Sequence, residues 1–207
     1  MNIFIDLDGT ILDIASKYNY LFTLLRDKYN LQNSNYWEIR SSGIGLSEAL
    51  ISLGISRDRI EAFRSDWAQE VEKSEMLEFD TVIRGAHKRL ISLSLGNCLI
   101  LCTARSNAQS LNEQLVKLGI FDLFSDILQV QLGSSKAELL SRYYETSPVS
   151  RGSQAWMIGD TSEDIQAGIS VGLKTCGVLS GLATRAIFKE AGASQICDSL
   201  TYFQPEN

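Results

Sequence analysis

The stretch Asn2-Ile3-Phe4-Ile5-Asp6-Leu7-Asp8-Gly9-Thr10 decides how the chain is read. Residues 2–6 are a short apolar run that stops abruptly at acidic residues and a glycine. That is the pattern of a buried strand feeding a turn. Asp6 and Asp8 stand two residues apart, so in extended chain they point to the same side. Gly9 lets the backbone turn sharply beside a ligand.

Outward from this strand the pattern changes twice. From Ile14 to about Val82 apolar residues recur at helical spacing. Leu21, Phe22, Leu25 and Tyr29 share one face, as do Leu46, Leu50 and Leu53, and then Ile60, Phe63, Trp67 and Val71. No strand is read in this stretch, which is expected to be an all-helical insert, residues 14–82. After Gly85 strands and helices alternate. Strands are expected at Asn97–Thr103, Ile127–Leu132, Gln154–Gly159, Lys174–Leu179 and Ala193–Cys197. Helices are expected near 86–95, 106–118, 136–145, 162–171 and 183–191, with a loop at Thr146–Ser153. Such alternation predicts an α/β fold: a Rossmann-like parallel sheet with helices on both faces, residues 1–13 and 83–207, interrupted by the helical insert.

Composition sets the outer bounds. With 207 residues, 44% apolar and 21% charged, the chain is long enough to bury a real core. A net charge of −6 and the lack of a Lys/Arg cluster argue against nucleic acid as a partner. No apolar run approaches the ~18 residues of a membrane span. The start lacks the basic and long apolar segments of a signal peptide, so a cytoplasmic protein is expected. Cys98, Cys102, Cys176 and Cys197 lie in apolar stretches without a C-x-x-C pair and are expected to be buried, reduced thiols.

Polar residues collect at strand ends. The expected strands end at Asp6, Thr103 and Asp160, and Lys136 closely follows another. In open parallel sheets ligands bind at the carboxyl ends of the strands, so these distant residues converge on one crevice. Asp6, Asp8, Asp160 and Asp164 would bring up to four carboxylates together, and like charges so packed repel. A divalent cation and Lys136 would relieve this. Mg²⁺ suits the set, because it takes oxygen ligands, keeps waters and commonly binds through one or two carboxylates plus a substrate phosphate. A carboxylate is also a covalent nucleophile in some phosphoryl-transfer sites.

Several of these residues have a second reading. Asp164 also fits a capping box with Thr161, and Thr103 fits a cap on the following turn. Lys136 lies in the first turn of a helix, where a cation opposes the dipole unless an anion is bound; a solvated surface lysine is the alternative. Asp13 reads as a helix cap, Glu163 as a solvated first-turn acid and His87 as a surface residue. Arg105 is read as reaching substrate or as lying on the surface. Arg40, in Arg40-Ser41-Ser42-Gly43-Ile44-Gly45, is either a solvated residue of an inter-helix turn or the partner of a second anionic group on a substrate.

The motifs together resemble the haloacid dehalogenase-like hydrolase superfamily. They are Asp6-Leu7-Asp8-Gly9-Thr10, the apolar run ending in Thr103, Lys136 in Gly133-Ser134-Ser135-Lys136-Ala137-Glu138, and Gly159-Asp160-Thr161-Ser162-Glu163-Asp164. The position of the insert resembles the helical cap of the phosphoglycolate phosphatase-like branch, although many members of that branch carry Pro where this chain has Ala137. The resemblance implies a Mg²⁺-dependent phosphatase acting on a small phosphorylated metabolite through an aspartyl-phosphate. Asp6 would attack phosphorus and bind metal. Asp8 would serve as acid and base and give its backbone carbonyl to the metal. Thr103 and Lys136 would hold the phosphoryl group, with Ala104 and Arg40 as further substrate-binding positions. Asp160 and Asp164 would complete the metal site. Hinges are expected near Leu12–Ile14 and Thr81–Gly85. No nucleic acid or membrane partner is implied, and either a monomer or a homodimer is compatible. A sugar-phosphate mutase using the same residues, or a non-enzymatic phosphate-binding protein on the same fold, are the alternatives. Dehalogenation is disfavoured by Asp8. Phosphonate cleavage would need an insert lysine, and nothing singles out Lys17, Lys28 or Lys73.

Overall fold

The computed structural model describes residues 1–32, 34–131, 133–146 and 155–205. In chain order its strands and α-helices are β1 (Asn2–Ile5), β2 (Leu12–Asp13), α1 (Ala15–Tyr29), α2 (Tyr36–Arg40), α3 (Leu46–Ser52), α4 (Ile60–Glu70), α5 (Ser74–Leu77), β3 (Thr81–Val82), α6 (Ala86–Ser94), β4 (Cys98–Thr103), α7 (Ala108–Lys117), β5 (Asp126–Gln129), α8 (Lys136–Thr146), β6 (Ala155–Gly159), α9 (Ser162–Ser170), β7 (Lys174–Val178), α10 (Arg185–Ala191) and β8 (Gln195–Cys197). They fall into two compact units, Met1–Asp13 with Val82–Asn207, and Ile14–Thr81.

The first unit is built on a six-stranded sheet in the order β5-β4-β1-β6-β7-β8, and its strand pairings are parallel. The chain grows outward from β1 on one side through β4 and β5. It then returns to the other side of β1 for β6, β7 and β8. The order therefore reverses beside β1, the place where open α/β sheets form a crevice at their carboxyl ends. β1 and β6 are buried along their whole length, as a strand covered on both faces must be. Phe4, Ile100, Cys102 and Met157 pack with Leu140 and Tyr144 of α8 and Ala167 of α9. On the alternate residues, Trp156 meets Phe203 edge-on at 5.1 Å. Helix α9 comes close enough that a Cβ on Gly168 would stand 2.6 Å from Thr175 Cγ2.

The second unit is helical around its own core. Leu21, Phe22, Leu25 and Tyr29 of α1 are buried with Leu50 of α3 and Phe63 of α4. Phe22 stacks on Tyr36 at 4.9 Å, and Tyr18 meets Trp67 edge-on at 5.1 Å. Asn30 ends α1 in the left-handed region, at φ 53°. Lys17 is only 1% exposed, with its Nζ 2.9 Å from Asp80 Oδ2. Its ammonium is thus engaged in a buried ion pair, which is the form in which a lysine tolerates burial.

The structure departs from the sequence reading in a few places. Two-residue strands β2 and β3, which form a separate sheet, were not expected because two residues show no periodicity. Strand β5 begins at Asp126, one residue early. The N-cap position of α1 is Ile14, whose side chain makes no capping bond, with Asp13 ending β2 before it. Cys98 is exposed at the start of β4, whereas Cys102, Cys176 and Cys197 are buried. The expected positions Leu132, Gln154 and 147–153 lie outside the described residues. Among the described residues no helix is long and apolar enough to cross a membrane.

Candidate active site

Sheet register sets the first residues in place. Ile5 pairs with Leu101 of β4 and Ile158 of β6, so Asp6 emerges level with the ends of both neighbours. Its N–H donates to the Ile158 carbonyl at 2.9 Å. Thr103 ends β4 and Asp160 follows β6. Lys136 is the first residue of α8, and Asp164 is at the third position of α9. The sheet thus gathers at one edge groups drawn from four separate parts of the sequence.

The centre of the site is Lys136. Its Nζ lies 2.5 Å from Asp6 Oδ1 and 2.5 Å from Asp164 Oδ1. Asp6, Asp160 and Asp164 are 5%, 2% and 0% exposed, and each offers an oxygen within 4.8 Å of the others. Thr10 Oγ1 donates to Asp6 Oδ2 at 3.2 Å. Three buried carboxylates against one ammonium leave an excess of negative charge. Burial first, offset by Lys136 and reinforced by Asp164, pushes the Asp6 carboxyl up from 3.8 to about 7. Asp160 is pushed well up as well, by burial and then by Asp6 and Asp164. For Lys136 burial opposes the charge, but Asp164 and Asp6 outweigh it and hold the ammonium well above its ordinary range. A small hard cation taking oxygen ligands fits this donor set, because it would supply the charge the cluster lacks.

Helix starts aim two of these side chains. Thr161 Oγ1 accepts from the Asp164 N–H at 3.3 Å, and Asp164 Oδ2 accepts from the Thr161 N–H at 3.1 Å. This is a reciprocal capping box, so the capping reading of Asp164 holds: Oδ2 serves the cap, and Oδ1 faces Lys136. Gly159 makes room for it, since a Cβ there would stand 2.2 Å from the Asp164 carboxyl carbon. Helix α8 opens in the same way, with Ser135 Oγ accepting from the Glu138 N–H and Glu138 Oε2 accepting from the Ser135 N–H, both at 3.2 Å. The Lys136 side chain is 12% exposed, so the solvated alternative does not describe it.

Arg105 is the residue whose place the sequence did not settle. It is buried, and it grips Asp8 with two hydrogen bonds, Nε to Oδ2 at 2.8 Å and Nη2 to Oδ1 at 2.6 Å. A third arm donates to Gln114 of α7, itself 7% exposed, and Gln129 Nε2 donates to the Arg105 carbonyl at 3.0 Å. The surface reading of Arg105 is overturned, because its charge is matched by Asp8, 97 residues away in sequence. Only its place just after Thr103 hinted at this. Thr103 is buried, its Oγ1 accepting the Arg105 N–H at 3.2 Å, and Ala104 between them is exposed. Arg40 belongs to the helical unit, where its guanidinium donates to the Ile44 carbonyl of its own loop. His87 is exposed, as expected.

The comparisons agree with this architecture. Residues 3–178 match the sequence profile of haloacid dehalogenase-like hydrolases. No curated protein matches the chain in sequence at a significant level. Solved structures similar to it include a haloacid dehalogenase-like family protein of Streptococcus pneumoniae, at 20% identity and a TM-score of 0.77. Another is described as a predicted phosphatase from Clostridium acetobutylicum, at 20% identity and 0.78. A third is described as a predicted phosphoglycolate phosphatase from Haemophilus somnus, at 20% identity and 0.67. Each alignment covers 96% of this chain and 94% of the other. At such identity the likeness establishes the fold, while the profile match over most of the chain establishes the family. The chain belongs to the haloacid dehalogenase-like hydrolases.

Proposed function

We propose that the chain is a Mg²⁺-dependent phosphatase that hydrolyses a small phosphomonoester through a phosphoaspartate on Asp6. The observation that carries this reading is the Lys136 ammonium held 2.5 Å from Asp6 and from Asp164, beside the third buried carboxylate Asp160. An anionic nucleophile facing an anionic phosphoryl group needs positive charge at the point of attack. Lys136 supplies part of it. Asp6, Asp160, Asp164 and the Asp8 backbone carbonyl would hold Mg²⁺, which when bound supplies Lewis-acid stabilisation of the phosphoryl oxygens.

The protein's own groups then divide the work. Asp6 forms a bond to phosphorus as the ester oxygen leaves with a proton from Asp8. Water next attacks the phosphoaspartate, Asp8 takes its proton, and inorganic phosphate departs from a regenerated Asp6. Thr103 and Lys136 hold the phosphoryl oxygens through both steps. Arg105 fixes the direction of the Asp8 side chain and holds both of its oxygens as a carboxylate, so the proton that Asp8 gives the leaving oxygen is taken up from solvent or from the substrate phosphate as one oxygen leaves Arg105. The phosphoglycolate phosphatase description of one structural relative favours a small phosphorylated acid as the substrate class.

Release of phosphate from an aryl phosphate and from a panel of metabolite phosphomonoesters tests the reading. Turnover is expected with Mg²⁺, to vanish with EDTA, and to be abolished in Asp6→Asn together with the phosphoenzyme. Full turnover after exhaustive chelation, or in Asp6→Asn, would refute it.

A further inference from the structure

The loop after β7 runs Leu179-Ser180-Gly181-Leu182-Ala183, and the motifs of the family resemblance assign it no chemical role. It meets Asp160 repeatedly. The Leu182 N–H donates to Asp160 Oδ2 at 2.8 Å, and the Ala183 N–H donates to the Asp160 carbonyl at 2.9 Å. Ser180 Oγ donates to the Gly9 carbonyl at 2.7 Å, tying the loop to the turn that follows Asp6 and Asp8. Gly9 and Gly181 enclose the carboxylate between them. A Cβ on Gly9 would stand 2.3 Å from Asp160 Oδ2, and one on Gly181 would stand 1.9 Å from it.

The two glycines are needed for different reasons. Gly9 has φ +79°, a conformation other residues rarely adopt, whereas Gly181 is not in the left-handed region. Gly181 is required for space alone. Its bare α-carbon lets the loop backbone rest against the side chain of a residue that sits among other carboxylates.

We propose that Ser180–Leu182 is a positioning element that makes Asp160 a one-oxygen metal ligand. Oδ2 is committed to the Leu182 N–H and boxed by glycine, and Oδ1 is left as the oxygen offered to the cation. This rests on the Mg²⁺ reading given above. The physical reason lies in the ion. Mg²⁺ demands near-ideal octahedral geometry and keeps several waters, so a carboxylate that swings or chelates with both oxygens fits it badly. Repulsion within the cluster pushes Asp160 outward, and a backbone N–H together with a close backbone wall opposes that displacement. Outer groups that orient metal ligands in this way typically account for about 10–100-fold in affinity.

Isothermal titration of the metal-free protein with MgCl₂ tests the proposal without relying on turnover. Gly181→Ala should weaken Mg²⁺ binding by about tenfold or more, because the added methyl drives the carboxylate from its place. Ser180→Ala, which removes only a hydroxyl, should weaken it in the same direction and to a smaller extent. Gly96→Ala is the control, since a Cβ there meets nothing within 4 Å; it should bind as the wild type does. Wild-type affinity in both Gly181→Ala and Ser180→Ala would overturn the positioning role and leave the Mg²⁺ site intact. Should Gly181→Ala not fold, unchanged affinity in Ser180→Ala overturns the role by itself. A wild-type protein that binds no Mg²⁺ would overturn the metal reading, and this role with it.

Discussion

At the scale of single residues the site is an electrostatic problem that the fold only half solves. Lys136 offsets one of three buried carboxylates, and the Asp6 carboxyl rests at about 7. The folded value lies above the unfolded 3.8, so between them the folded state holds more protons than the unfolded chain. Without metal, this group makes stability fall as pH rises from about 4 to about 7. Mg²⁺ must displace those protons. The rise in Tm caused by saturating MgCl₂ should therefore be small at about pH 5.5 and grow as pH rises through about 7. Melting curves across that range check it, and a Mg²⁺ shift independent of pH would contradict the assigned protonation. Arg105 poses a separate test. Arg105→Ala should lower kcat by about ten- to a hundredfold, as Asp8 loses the partner that aims it for proton transfer. Arg105→Lys should recover only part of this, because an ammonium cannot match the two-pronged grip. Equal kcat in wild type and Arg105→Ala would remove the residue from the mechanism.

At the scale of elements, helix starts do two jobs at once. The N-terminal turn of α9 caps itself with Asp164 and presents the same side chain to Lys136. The two jobs can be separated. Thr161→Ala loses hydroxyl capping, worth about 1 kcal/mol, and should lower Tm by about 2–4 °C; it also loses the Oγ1 donor 2.6 Å from Asp164 Oδ2, so Mg²⁺ affinity should fall, but by less than in Asp164→Ala. Asp164→Ala loses the cap and the carboxylate, so Mg²⁺ affinity should drop by at least about tenfold as well. Calorimetry on both variants separates them, and equal Mg²⁺ affinity in the two would reduce Asp164 to a cap. The capping and metal readings of Asp164 do not exclude each other, because the cap uses Oδ2 alone and leaves Oδ1 facing Lys136.

For the whole molecule the question is selection of substrate. Residues 14–81 form a helical unit with a core of its own, inserted between β1 and the rest of the sheet. We expect this unit to select small metabolites. We propose that Arg40, whose guanidinium is bonded to the Ile44 carbonyl of its own loop, meets a second anionic group on the substrate. Arg40→Ala should weaken kcat/KM for the best metabolite of the panel by about tenfold, with little effect on an aryl phosphate. An equal effect on both substrates would deny the loop a part in specificity. Efficient dephosphorylation of a folded phosphoprotein would count against selection of small substrates by this unit.

The sequence alone determined the alternation of strand and helix, the helical insert and the acidic and basic residues at strand ends. These follow from local rules, since a buried parallel strand must be apolar until its carboxyl end and a helical face must repeat every third or fourth residue. Asp6, Asp160 and Lys136 were legible for that reason: each interrupts or follows an apolar run where a core residue would otherwise be expected. Only the tertiary structure decided who pairs with whom. Arg105 could be read as surface until the register of β4 against β1 brought it to Asp8. Lys17 gave no sign of burial before Asp80 was placed against it. Gly181 carried no sign of its neighbour until Asp160 was found where its side chain would be. A charge or a glycine carries no mark of its partner in the chain, because the contact is made through space by the sheet, and its energy depends on a distance that only the fold sets.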